Sequence, residues 1–92
     1  MEPQDFAAVL RAEGFAEAIP RSLAAGEATP LHTHDFDAKV LVTAGAFTLC
    51  RDGIATTHGP GGMFSVPRGH PHAEAAGPAG AEYLAGRRAA AA

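Results

Sequence analysis

The stretch GEATPLHTHDFDAKVLVTAG, residues 26–45, and its later counterpart GGMFSVPRGHPHAEAA, residues 61–76, decide how this chain folds. Each carries a histidine pair, His32-Thr33-His34 and His70-Pro71-His72, and together they hold four of the five imidazoles. Segments of strand character lie between them. Successive strand side chains alternate faces, so an H-x-H step on a strand points both rings the same way. A third imidazole from a distant strand completes a facial set of nitrogen donors. Neutral imidazole suits zinc, copper, iron and nickel. The pattern reads as a small β scaffold holding one transition metal.

Short runs of period-two hydrophobicity flank these stretches. They predict strands near 16–23, 29–34, 38–44, 46–51, 54–58, 63–66, 71–76 and 81–86. Gly45 is read as the break between the third and fourth. Asp52-Gly53 is a two-residue hairpin signal, since both central positions of a type I′ turn need positive φ. Gly59-Pro60-Gly61-Gly62 and Gly77-Pro78-Ala79-Gly80 are read as loops. Residues 4–13 predict one helix, with Phe6, Val9, Leu10 and Glu13 at helical spacing, Pro3 near its start and Gly14 just past its end. Many short strands at regular spacing imply an all-β sandwich or barrel with a helical appendage. The domain reading is a helical segment over 1–14, a β-barrel domain over 15–88 and a tail over 89–92.

Composition narrows the function classes. Ninety-two residues make one domain, short enough to bury only about 60–65% of its potential surface. Pairing with a second copy adds burial, so a homodimer is expected. Net charge is −3, and the only paired bases are Arg87-Arg88 beside four alanines, which is no footprint for nucleic acid. No stretch approaches the roughly 20 apolar residues of a membrane span, and the start lacks the pattern of a secretion signal. The single Cys50 fits a reducing compartment and reads as ordinary core. The expected location is cytoplasmic.

The spacing around the histidines is more specific. Residues 26–45 read Gly-x5-His-x-His-x3-Ala-x6-Gly, and residues 61–76 read Gly-x5-Pro-x-Gly-x2-His-x3-Ala. In order and internal spacing the two resemble the two motifs of the cupin family, over about residues 20–86. The resemblance implies a small jelly-roll β-barrel with a metal site inside. It implies His32, His34 and His72 as metal ligands, Gly45 and Gly69 as turn glycines, and Pro67 opening the strand that carries His72. The metal it implies is one divalent ion, Fe, Zn, Ni, Mn or Cu. Members of the family range from dioxygenases and isomerases to sugar and hormone binders, so fold does not deliver function.

The departures from the motifs are informative. Ala38 stands where the family usually has a glutamate ligand, and Ala76 where it often has asparagine. What remains is a three-histidine site with open positions, similar to that of some cupin-like thiol dioxygenases. Two carboxylates are candidates to compensate. Glu74 shares the face of His72, two residues along the strand, and suits a fourth ligand or a general base. Asp37 adjoins position 38 but has the wrong strand parity and needs a bulge to turn inward. His70 is read at the barrel mouth as a substrate or outer contact, and His58 as a surface residue. Phe36 is read as a wall of the site, and Phe47, Leu49, Phe64 and Val66 as core. Val40 and Val42 share parity with Ala38 and line an apolar interior suited to a small, partly apolar ligand. Leu41 then points outward, a hint of a covered face such as a dimer interface.

Three functions follow. The first is a metal-binding cupin acting as a small-molecule oxygenase, isomerase or related metalloenzyme. The second is a non-catalytic cupin that binds or senses a small molecule. The third is a partner domain using the helix at 4–13 to dock. Three positioned imidazoles favour the first two over the third.

Overall fold

The computed structural model describes residues 1–89. Its elements are α1 (Pro3–Ala12), β1 (Ile19–Leu23), β2 (Phe36–Arg51), β3 (Ile54–His58), β4 (Met63–Val66) and β5 (Ala73–Ala89). All strand pairings are antiparallel. Two long strands, β2 and β5, form the backbone of the fold and pair along almost their whole lengths. The first half of β2 pairs β4 on its other edge, and the second half pairs β3. β1 adds to the second half of β5. The two halves of each long strand thus belong to two layers, and side chains from both layers meet in one core of Leu23, Val40, Val42, Phe47, Leu49, Phe64, Val66 and Ala81. The fold is all-β apart from one helix, as the hydrophobic periodicity predicts.

The long strands correct the sequence reading. The segments 38–44 and 46–51 are one strand, with register shifts between Val42 and Ala44 and between Gly45 and Phe47. Gly45 bends the strand without ending it. Likewise 71–76 and 81–86 belong to the single strand β5, which absorbs the predicted loop 77–80. The reason is close approach of two backbones where both strands turn: a Cβ on Gly45 would lie 2.1 Å from the Gly80 carbonyl oxygen. Glycine is required here by the crossing and by its φ of +76°. The strand also runs on through Ala89, so the tail predicted over 89–92 starts inside β5, and residues 90–92 lie outside the described residues.

Two local expectations are met closely. Arg51 and Ile54 pair across Asp52-Gly53, whose φ values of 54° and 75° are those of a I′ turn. The helix starts with Pro3 in its first turn and ends in paired backbone bonds, Gly14 N–H to Arg11 O and Phe15 N–H to Leu10 O. That is a Schellman closure. Ten residues cannot hold a helix in water by themselves, so packing must. Phe6 and Leu10 are buried against Leu41, with Phe15, Ala18 and Leu84 around them. Fully burying each of the three large side chains contributes about 1.5–3 kcal/mol. The outward Leu41 is therefore covered by the chain's own helix.

Candidate metal centre

The residues before β2 are not a strand. Pro30 has no N–H to give a ladder, and 29–34 makes only isolated pairings with β5 and the residues before it. One of these builds the site. His32 N–H donates to His72 O at 2.9 Å, and His72 N–H donates to His32 O at 3.0 Å. This reciprocal bridge sets two ligand-type side chains from distant parts of the chain side by side. Their rings lie 4.4 Å apart between centroids, and His34 lies 4.8 Å from His32 and 5.1 Å from His72. Each ring offers one nitrogen, and the three nitrogens lie within 4.8 Å of one another.

Hydrogen bonds to carbonyls orient two of the rings. His32 Nδ1 meets the Pro30 carbonyl at 2.7 Å, and His72 Nδ1 meets the His70 carbonyl at 2.9 Å. A carbonyl only accepts, so each Nδ1 is the donor, and in the neutral ring the Nε2 then keeps its lone pair. This is the outer support that metal-ligating histidines normally have. His34 is held differently, stacked on Phe36 with centroids 4.6 Å apart and planes 17° from parallel. Burial, then the neighbouring His32, His72 and Arg87, lower its pKa and favour the neutral ring. The donor set suits a transition metal. Metal–nitrogen bonds of about 2.1 Å require nitrogens about 3.4 Å apart in a tetrahedral site, a contraction of at most about 1.4 Å.

The rings open into a cavity of about 130 Å³ inside the β roll. That is below the roughly 300 Å³ where pockets for drug-sized ligands begin. Ala38, Val40, Phe64 and Val66 form an apolar wall, as strand parity predicts, and Phe36 lines it as expected. Glu74 also lines the cavity, with Oε1 3.6 Å from His32 Nε2. Of the two carboxylate candidates, only this one joins the histidines. Asp37 faces away, and its carboxylate accepts from Arg68 N–H at 2.9 Å and from Arg88 at 3.0 and 3.2 Å. These bonds, the backbone one first, hold its pKa below the usual carboxylate value. Position 37 stays on the outer face because no bulge intervenes between it and position 38.

The other histidines are outside the cluster. The His70 ring meets Asp52 Oδ2 at 3.1 Å, so its carbonyl serves the site and its imidazole does not. His58 is half-buried, its ring 4.8 Å from that of Phe64, and is less exposed than expected. Cys50 is likewise half-buried. Pro67 directly follows β4 and does not open the strand after it, and His72 makes its bridge just before β5.

Sequence reasoning missed three polar lining residues, Arg21, Tyr83 and Arg87. Reading β5 to its end reveals them: Tyr83, Ala85 and Arg87 share one face, and Arg21 pairs with Tyr83 on β1. The cavity lining is therefore more charged than the apolar wall suggests. Burial, aided by the Glu74 charge, raises the Tyr83 pKa, so the phenol keeps its proton.

No family model and no curated protein matches the sequence. Solved structures do match the fold. One is an RmlC-like cupin from Shewanella frigidimarina, with TM-score 0.71 and 23% identity over 80% of this chain and 66% of that one. This chain has the cupin fold. A conserved protein of unknown function from Streptococcus pyogenes gives TM-score 0.73 and 24% identity, covering 83% of this chain and 66% of that chain. The polyketide cyclase RemF from Streptomyces resistomycificus gives 0.70 and 26%, covering 77% and 52%. This chain spans just under two thirds of the first two neighbours and about half of the third. Among its described residues no helix is long and apolar enough to cross a membrane.

Proposed function

We propose that this chain is a metal-dependent cupin enzyme acting on a small molecule, with His32, His34 and His72 as its three protein ligands. The observation that carries this reading is the convergence of three imidazoles, two with their Nε2 lone pairs freed by carbonyl bonds, on one small cavity that also holds a carboxylate. Ordinary packing has no need of such an arrangement. A bound divalent ion supplies Lewis acidity, or redox chemistry if it is iron, at its open coordination positions. The chain's own residues do the rest. Phe36, Val40, Phe64 and Val66 exclude water from the inner wall, and Glu74 Oε1 serves as the proton acceptor beside His32. A neighbour of the same fold is a polyketide cyclase, which supports chemistry on small organic molecules as a use of this scaffold.

The test is oxygen uptake by the iron-loaded protein with a panel of small thiols and diketones, alongside product analysis of the same mixtures with the zinc form. Turnover that falls at least about 10²-fold in Glu74→Gln, with metal still bound, is the expected result for a lost general base. Metal retention with no turnover in either form shifts the assignment to a binding or sensing cupin.

A further inference from the structure

Arg87 and Ala38 stand directly opposite one another across the β2–β5 pairing, and both line the cavity. Directly paired positions on one sheet face have Cβ atoms about 4.5–5.5 Å apart. The methyl group of Ala38 therefore leaves open space beside the Arg87 side chain. The guanidinium lies over Phe36, with Cζ 4.4 Å from the ring centroid, and Phe36 is in turn stacked on His34. A contact of this kind holds the guanidinium by its charge and uses none of its N–H donors.

The contrast with the next residue is instructive. Arg88 points to the other face and uses its donors on Asp37 and on the Glu13 carbonyl. Among the described residues the Arg87 side chain makes no hydrogen bond or ion pair, whereas Arg21 reaches the Tyr83 phenol. The fixed charges around the cavity are Arg21 and Arg87 against Glu74, a net of one positive charge. That balance, and any bound divalent ion added to it, favour an anion, while Glu74 and the small cavity leave room for one carboxylate.

From this we infer that the small molecule is an organic monocarboxylate whose carboxylate binds the free edge of Arg87 in the space opposite Ala38. A planar guanidinium edge matches a carboxylate with two parallel bonds. The cavity volume limits the remainder of the molecule to a few heavy atoms, directed toward the three imidazoles. The inference deepens the proposed function by naming its substrate class.

Ligand-observed NMR of the full chain as purified, at low salt, tests it with acetate, pyruvate and lactate as probes. Pyruvamide serves as the uncharged counterpart of pyruvate, and inorganic phosphate as the competing anion. We expect saturable binding of at least one carboxylate, with pyruvamide at least about tenfold weaker, as loss of a charge-assisted bidentate contact implies. Arg87→Gln and Ala38→Glu should each weaken carboxylate binding by at least about tenfold, the second because the new carboxylate takes the guanidinium for itself. Arg87→Lys should retain part of the affinity, and Arg87→Gln should keep the wild-type metal content. No binding by any of the three carboxylates, equal binding of pyruvamide, unchanged binding in Arg87→Gln, or phosphate tighter than every carboxylate overturns the inference. Arg87-dependent carboxylate binding by protein that holds no metal would leave it standing while removing the metal reading.

Discussion

Replacing Gly45 by alanine should be among the most damaging single-methyl changes in the chain. The new Cβ would stand 2.1 Å from the Gly80 carbonyl oxygen and 2.9 Å from its carbon. An ordinary carbon–oxygen approach is about 3.3 Å, so β2 and β5 must separate by about 1.2 Å where they cross. Overpacking of that kind costs about 1–3 kcal/mol. The positive φ adds about 1 kcal/mol for a residue with a Cβ. The expected total is about 2–4 kcal/mol, and at roughly 0.2 kcal/mol/K for a 92-residue domain the melting temperature falls by about 10–20 °C. Gly53→Ala is the matched control. It has nearly the same φ, +75°, but nothing within 4 Å of the added Cβ, so it should lose only the conformational part. Thermal unfolding by circular dichroism, repeated in urea, compares the two. Equal losses for both variants would refute the close approach of β2 and β5 at Gly45.

Leu10→Ala should cost about 2–4 kcal/mol, because it empties a site that is 2% exposed between α1 and Leu41; urea unfolding measures the loss, and amide exchange should show α1 opening before the strands. His70→Ala should leave metal content unchanged, since only the backbone carbonyl of residue 70 supports His72; elemental analysis checks this. Asp37→Asn should lower the melting temperature at neutral pH and converge on wild type in acid. The folded-state pKa of Asp37 lies below its ordinary 3.8, so its contribution is fully present above the unfolded value and disappears as pH falls through the folded one. Melting curves at neutral pH and at about pH 3 show whether the gap closes.

Much of this fold is legible in the chain because its strands alternate cleanly. The segments 54–58 and 63–66 match β3 and β4 end to end, and Asp52-Gly53 marks the hairpin. What misleads is glycine. Gly45 and the run 77–80 look like chain breaks locally, but they are where two continuous strands cross too closely for a side chain. Only tertiary proximity distinguishes the two uses. The same error hid part of the site. Ending the last strand at residue 86 leaves Arg87 in a tail, whereas the continuous β5 brings it to the cavity lining opposite Ala38. The histidines were visible from spacing, yet the cause of their convergence was not: His32 meets His72 through a backbone bridge, not along a strand. Parity arguments served well for Glu74 and Asp37, where the strand is regular, and the two carboxylates fall on opposite faces as counted.

The central claim is that His32, His34 and His72 hold one metal ion. Elemental analysis of protein purified without a histidine tag, for wild type and His72→Ala in parallel, tests it most directly. The account predicts about one equivalent of a divalent transition metal in wild type and almost none in the variant, with unchanged circular dichroism. Equal metal content in both proteins, or a wild-type protein that retains none of the candidate ions even when loaded, would contradict it.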